Sequence, residues 1–369
     1  MATPPSMEDQ AADAVSRAAA EARSAQRIET IRGVLLTRQV AMTVVAIALF
    51  VFFAFSANNF ASWGNIVDIV RASAFIGIVA VTWTYLLIAG ELDLSVGSIY
   101  GFGTIIMAWL IASGGLDPWI AAGLTLLFGA SVGAINGVIT VYVGVRAFVV
   151  TLGMLSALRG AAHYMSGSFP ISFARGAESS LYPLGDSNPL GIPVQAIWFV
   201  AVVVAGIVVL RYTRFGYWLF ATGGNELAAR ESGIPTRRIR FVAFVLVGLS
   251  CGLIAVLQAA WLKAATPTTG LAFELQVIGA VLIGGTALTG GEGSIYGTLV
   301  GTAILGMVTN GLVLMGYPPA ASLLAAGLIV VFAGVLDAAM RRAGERAAQA
   351  AFAAAATESE EEPPANGGQ

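Results

Sequence analysis

Long apolar runs recur between residues 39 and 338, and they constrain the fold more than any other feature of the chain. A helix needs about 20 mostly apolar residues to cross ~30 Å of hydrocarbon. Such runs read as 39–56, 71–90, 95–113, 118–142 and 147–166, then 194–210, 240–262, 271–286, 294–315 and 319–338. Composition agrees: 57% of the residues are hydrophobic and 11% charged, where a soluble domain carries about 25% charged residues. The expected fold is an all-α polytopic membrane protein of about ten transmembrane helices, because helices satisfy their own backbone groups in lipid.

Arginines orient the runs. Arg17, Arg23, Arg27, Arg32 and Arg38 precede the first, and Arg211, Arg214, Arg230, Arg237, Arg238 and Arg240 fill the longest basic loop. Arg341, Arg342 and Arg346 follow the last. An even number of runs separates the three clusters, so all face the cytoplasm under the positive-inside rule. Arg146 falls on that side too, and Arg71, Arg175 and Lys263 on the other. Residues 1–38 then form a cytoplasmic, largely disordered tail, 39–340 the transmembrane domain with a cytoplasmic loop at 211–240, and 341–369 a disordered acidic tail. Acidic residues ahead of the first run argue against a signal peptide.

The net charge of −2 argues against a nucleic-acid partner. Cys251 is the single cysteine, which excludes an intrachain disulfide. His163 is the single histidine and is expected to sit in a helix end, with no metal-ligand set around it.

An internal repeat interrupts the runs. Gly97-Ser98-Ile99-Tyr100-Gly101 recurs as Gly293-Ser294-Ile295-Tyr296-Gly297, each copy after a polar break, Glu91–Ser95 in one case and Thr286–Glu292 in the other. Paired breaks in two halves of a chain point to broken helices around a transport site. Six runs separate the copies, which implies the same orientation for both, although a miscounted half-helix would invert one. Gly129, Gly133 and Gly137, like Gly293, Gly297 and Gly301, form small-residue ladders of the kind that let helices pack closely.

Polar residues inside the runs supply pathway candidates. Asp93, with Glu91 beside it, faces a cavity or a partner, because a bare carboxylate in lipid costs several kcal/mol. Alternatively Asp93 or Ser95 caps the helix that starts near Val96. Asn136, Gln276 and Asn310, with Gln258, suit a hydroxyl-rich neutral solute in the company of Trp83 and Tyr85, or else make interhelical hydrogen bonds. Arg159 lies within a run and needs a partner that the sequence does not name.

The 211–240 loop contains a short expected helix, Asn225–Ser232. Asn225 is a good N-cap, Glu226 and Arg230 form a favourable i,i+4 pair, and Gly233 supplies a left-handed stop. Such definite ends suggest a docking element, with an ordinary surface helix as the alternative. Four segments then carry a resemblance: GELDLSVGS from Gly90, TRFGYWLFATGGNELAARESGI from Thr213, AVLIGGTALTGGEGSIYGTLVG from Ala280 and TNGLVLMG from Thr309. In order and spacing from about residue 40 to 340, the chain resembles the permease subunits of ribose-type ATP-binding-cassette importers.

That resemblance implies a bacterial inner-membrane permease for ribose, xylose, galactose, arabinose, inositol or a related solute. It further implies a permease homodimer, a cytoplasmic ATPase and a periplasmic sugar-binding protein, in contact with membrane lipid. Gly224, Asn225, Glu226, Ala228, Ala229, Ser232, Gly233 and Ile234 match the segment that docks on the ATPase, with Ala228 and Ala229 expected to face its cleft. The sequence contains no G-x-x-x-x-G-K-[ST] loop, so the chain is expected to carry no cofactor and to leave ATP and Mg to the partner. Three rivals remain: an ion-coupled secondary transporter using Glu91 and Asp93, a branched-chain amino-acid permease of related architecture, and a membrane enzyme, for which no catalytic constellation appears.

Overall fold

The computed structural model describes residues 38–173, 181–185, 191–318, 320–335, 338–339 and 342. The expected tails at 1–38 and 341–369 therefore lie outside the described residues, apart from Arg38 and Arg342. A helix occupies each apolar run. The first five are α1 (Arg38–Ser56), α2 (Trp63–Ile88), α3 (Val96–Ala112), α4 (Pro118–Val138, prolonged by a π-turn at Ile139–Val143) and α5 (Ala147–Ser166). After the strand β1 (Ile171–Ser172) and a short turn of helix, α6 (Tyr182–Gly185), come α7 (Val194–Tyr212) and α8 (Arg214–Gly224). The chain continues through α9 (Glu226–Glu231), α10 (Thr236–Leu262), strand β2 (Ala264–Ala265), α11 (Phe273–Ile283) and α12 (Ile295–Leu314). It ends in α13 (Ala320–Val335). Among the described residues the helices are joined by a two-residue ribbon of β1 and β2, paired antiparallel through Ile171–Ala265 and Ser172–Ala264.

Five helices, α2, α4 with its π-turn, α7, α10 and α12, are long and apolar enough to cross a membrane. α1, α3, α11 and α13 are shorter apolar helices. At 11 residues and about 1.5 Å per residue, α11 spans only about half the hydrocarbon. The expected run at 271–286 is thus a half-helix, entered through irregular backbone at Thr266–Ala272. α2 and α10 lie at the centre, each with 61% of its most apolar window buried, against 33% for α7. Side chains such as Phe55, Val200 and Phe332 are exposed on the outer helices, as a lipid-facing surface requires.

Glycines set the closest helix contacts. Gly129 and Gly133 of α4 lie against the backbone of Gly248, Gly252 and Phe244 in α10, so a Cβ at either would meet main-chain atoms. The ladder read in the sequence is therefore a packing seam, worth its close van der Waals contact because lipid offers no hydrophobic drive between helices. The two repeat copies do something further. Gly97 and Gly101 seat the backbone of Gly270 and Thr269, just before α11. Gly297 and Gly301 seat Gly284 and Ala280, at its other end. The first copy at the start of α3, and Gly297 of the second copy with Gly301 one turn further along α12, thus hold the two ends of the same half-helix.

Candidate functional site

Beyond α2 the chain doubles back. The Glu91 amide donates to the Leu86 carbonyl at 3.0 Å, and Trp83 Nε1 donates to the Asp93 carbonyl at 2.9 Å. Asp93 therefore lies beside the last turns of α2 rather than beyond them, and α3 starts inside the bundle. Asp93 is fully buried. Its Oδ1 accepts from the Ser95 amide at 2.7 Å and from Ser95 Oγ at 2.5 Å. Its Oδ2 accepts from Asn136 Nδ2 at 3.2 Å, and the same amide donates to Ser95 Oγ at 3.0 Å. Ser95 occupies the N-cap position of α3 without a side-chain capping bond; Asp93 satisfies the neighbouring amide instead. Charge-assisted bonds of this kind hold a break at membrane depth that water does not reach. Three of the expected pathway residues, Asp93, Ser95 and Asn136, thus form one network, in which Asn136 Oδ1 has no partner among the described residues.

Glu91 goes elsewhere. Arg240 of α10 donates from Nε to the Ala89 carbonyl at 3.1 Å and lies 3.6 Å from Glu91 Oε1. Its Nη2 pairs with Glu226 Oε2 of α9 at 2.8 Å. Burial keeps the Glu91 carboxyl above the usual carboxylate range; Arg240 opposes that shift and Glu226 adds to it. Glycine contacts reinforce the junction. The Gly291 amide donates to the Ile88 carbonyl at 2.9 Å, with Gly291 at φ +77°. A Cβ on Gly291 would lie 2.8 Å from Gly224 Cα, and one on Gly223 would meet the Ile88 carbonyl and the Gly291 amide. The loop after α8, the end of α2 and the second break at 284–294 are thus joined backbone to backbone.

The local expectations for α9 hold. Asn225 Oδ1 accepts from the Ala228 amide at 3.0 Å, Arg230 bonds Glu226, and Gly233 adopts φ +79°. One expectation does not. Ala229 is 4% exposed and packs inward, whereas Leu227 is 69% exposed and Ala228 and Ser232 share the open face. The inward seat of Ala229 follows from α9 lying on α8 and α10, a contact no local pattern reports.

A second polar cluster lies around Arg159 of α5, the residue for which sequence offered no partner. Its guanidinium donates to the carbonyls of Thr269 and Gly270 at 2.8 and 2.9 Å, with Pro267 at 3.5 Å. These are unwound groups ahead of α11, where Ala272 adopts φ +56°. Tyr100 packs on Phe273 with ring centroids 5.2 Å apart. The only sequence signal for this cluster was a lone arginine within an apolar run. Gln276 is half-buried on α11, and Asn310 of α12 has a buried Oδ1 without a hydrogen-bond partner among the described residues; neither joins the two clusters. Trp83 and Tyr85 are buried, Tyr85 donating to the Gly206 carbonyl at 2.8 Å. His163 ends α5, with Nδ1 3.1 Å from Ser168 Oγ. Among the described residues, no group of His, Cys, Asp and Glu is placed to hold a metal ion.

A family model described as branched-chain amino acid transport system / permease component matches residues 65–334. Ribose import permease protein RbsC of Escherichia coli (strain K12) is 34% identical over 281 residues, 76% of this chain and 87% of that protein. RbsC of Bacillus subtilis (strain 168) is 37% identical over 273 residues, 74% of this chain and 84% of that protein. The L-arabinose ABC transporter permease protein AraH of Azospirillum brasilense is 35% identical over 299 residues, 80% and 86% of the two chains. No solved structure matches the chain.

Proposed function

The chain belongs to the permease-component family of branched-chain amino acid transport systems, and on that premise we propose that it forms the membrane channel of an ATP-binding-cassette importer for a monosaccharide or related polyol. The relatives named for ribose and arabinose support the solute class. The observation that carries the mechanism is the junction at Arg240. One side chain ties the exposed α9 to the end of α2, while Gly223 and Gly224 sit on the second break. A force applied to α9 from the cytoplasm reaches both helix breaks through rigid contacts, which is how a channel without its own nucleotide site is driven by a separate ATPase.

In this reading ten membrane segments, with α11 crossing together with the unwound backbone ahead of it, place both termini in the cytoplasm of a bacterial inner membrane. Two copies form the channel, a cytoplasmic ATPase docks on Leu227, Ala228 and Ser232, and a periplasmic binding protein delivers solute. Asp93, Ser95 and Asn136 hold the break beside the pathway, and Gln276 and Asn310 lie on helices that border it. The test is uptake into proteoliposomes carrying the whole complex, with ribose, arabinose and leucine as radiolabelled solutes. ATP-dependent import of a sugar supports the reading. Leucine import instead would establish an amino-acid permease, and sugar import sustained by an ion gradient without ATP would establish a secondary transporter.

A further inference from the structure

Glu274 lies in the first turn of the half-helix α11. Its Oε2 is buried with no hydrogen-bond partner among the described residues. A buried carboxylate oxygen without a donor is costly, and more so at membrane depth. The fold nevertheless makes room for it: a Cβ on Gly97 would lie 2.5 Å from Glu274 Oε2, so the glycine of the first repeat copy leaves the space this carboxylate fills. Next to Gly97 in the sequence, Ser98 Oγ is also buried without a hydrogen-bond partner among the described residues. Arg159 acts on Glu274 electrostatically, but its hydrogen bonds go to the backbone carbonyls before α11. That guanidinium also reaches the second glycine of the motif, its Nη1 lying 3.6 Å from where a Gly101 Cβ would be.

We propose that the Glu274 carboxylate accepts hydrogen bonds from hydroxyls of the transported polyol, on an unwound segment that Arg159 positions. The missing donor is the argument. A neutral polyol supplies O–H donors without burying a further charge, whereas the adjacent guanidinium disfavours an ammonium group. Carbonyls of Thr269 and Gly270 held by Arg159 keep their place as solute passes, so the acceptor is presented on fixed backbone. The inference rests on the polyol reading above.

The test uses the whole complex in proteoliposomes, measuring sugar import and ATP hydrolysis stimulated by loaded binding protein on the same sample. Glu274→Ala should leave stimulated hydrolysis near the wild-type rate and cut sugar moved per ATP about tenfold, the scale of one lost hydrogen bond to a charged group. Glu274→Gln, which keeps an acceptor oxygen, should recover part of the import. For Arg159, the positioning residue, Arg159→Lys should restore import that Arg159→Ala loses. Unimpaired import by Glu274→Ala overturns the inference and leaves the importer reading standing. Equal loss of hydrolysis and import overturns it as well, because that marks a structural defect. A wild-type complex that moves leucine and no sugar overturns the reading and the inference together.

Discussion

Two polar clusters flank the start of α3, and their chemistry differs. Around Asp93 both carboxylate oxygens are occupied, by the Ser95 amide and hydroxyl and by Asn136. Around Arg159 the cation is occupied by carbonyls, while Glu274 Oε2 is left open. A carboxylate with both oxygens filled rigidifies a break, even beside an Asn136 Oδ1 that has no partner among the described residues, and a carboxylate with one oxygen open can bind something that brings a donor. Asp93 is fully buried and Glu274 half-buried with one buried oxygen; their donors separate a strut from a contact.

The comparison breaks most visibly at Asp93. Asp93→Ala removes the acceptor of the Ser95 amide and hydroxyl and leaves Asn136 Nδ2 with Ser95 Oγ alone, and each orphaned buried group costs about 1–3 kcal/mol. We expect thermal unfolding in detergent to fall steeply and import to fall with it, while Asp93→Asn, which still accepts, loses much less. A wild-type melting temperature for Asp93→Ala would abolish the distinction between the clusters.

The next effect belongs to the junction that joins α8 and α9 to the end of α2 and the second break. Gly223→Val places branched carbons on the Ile88 carbonyl, a backbone group that does not yield. Import should drop about tenfold or more, with inserted protein retained, since overpacking typically costs about 1–3 kcal/mol. Normal coupling in Gly223→Val would show that α9 acts without the breaks.

A smaller effect is expected on α9 itself, and the two alanines should separate. Ala228→Arg, on the exposed face, should leave the melting temperature unchanged and reduce the ATPase recovered on co-purification several-fold, as a bulky charge in a packed interface does. Ala229→Arg should lower the melting temperature first, because Ala229 is seated inside its own subunit. If the two behave alike in both assays, the inward seat of Ala229 is wrong. Least of all, Asn310→Ala should change stability by less than about 1 kcal/mol, since its Oδ1 already lacks a partner and little is lost with it.

Much of the fold was legible before any coordinates. Every apolar run contains a helix, the Gly129–Gly133 ladder packs as a small-residue seam, and the α9 cap, ion pair and glycine stop form as read. Each of these depends on residues within a few positions of one another, where helical periodicity and capping chemistry act directly. The resemblance was legible too, because four segments in fixed order are a property of the string.

What only the tertiary structure decided is which distant groups meet. Arg159 finds its acceptors more than a hundred residues away. Glu91, adjacent in sequence to the Asp93 network, turns instead toward Arg240 and Glu226. The 271–286 run, apolar enough to suggest a span, ends as a half-helix because the glycines of both repeat copies seat its two ends. The physical reason is common to all three. In lipid a buried polar group must be satisfied by whatever donor or acceptor packing brings alongside it, and packing between helices is set by shape across the whole bundle rather than by any local window of sequence.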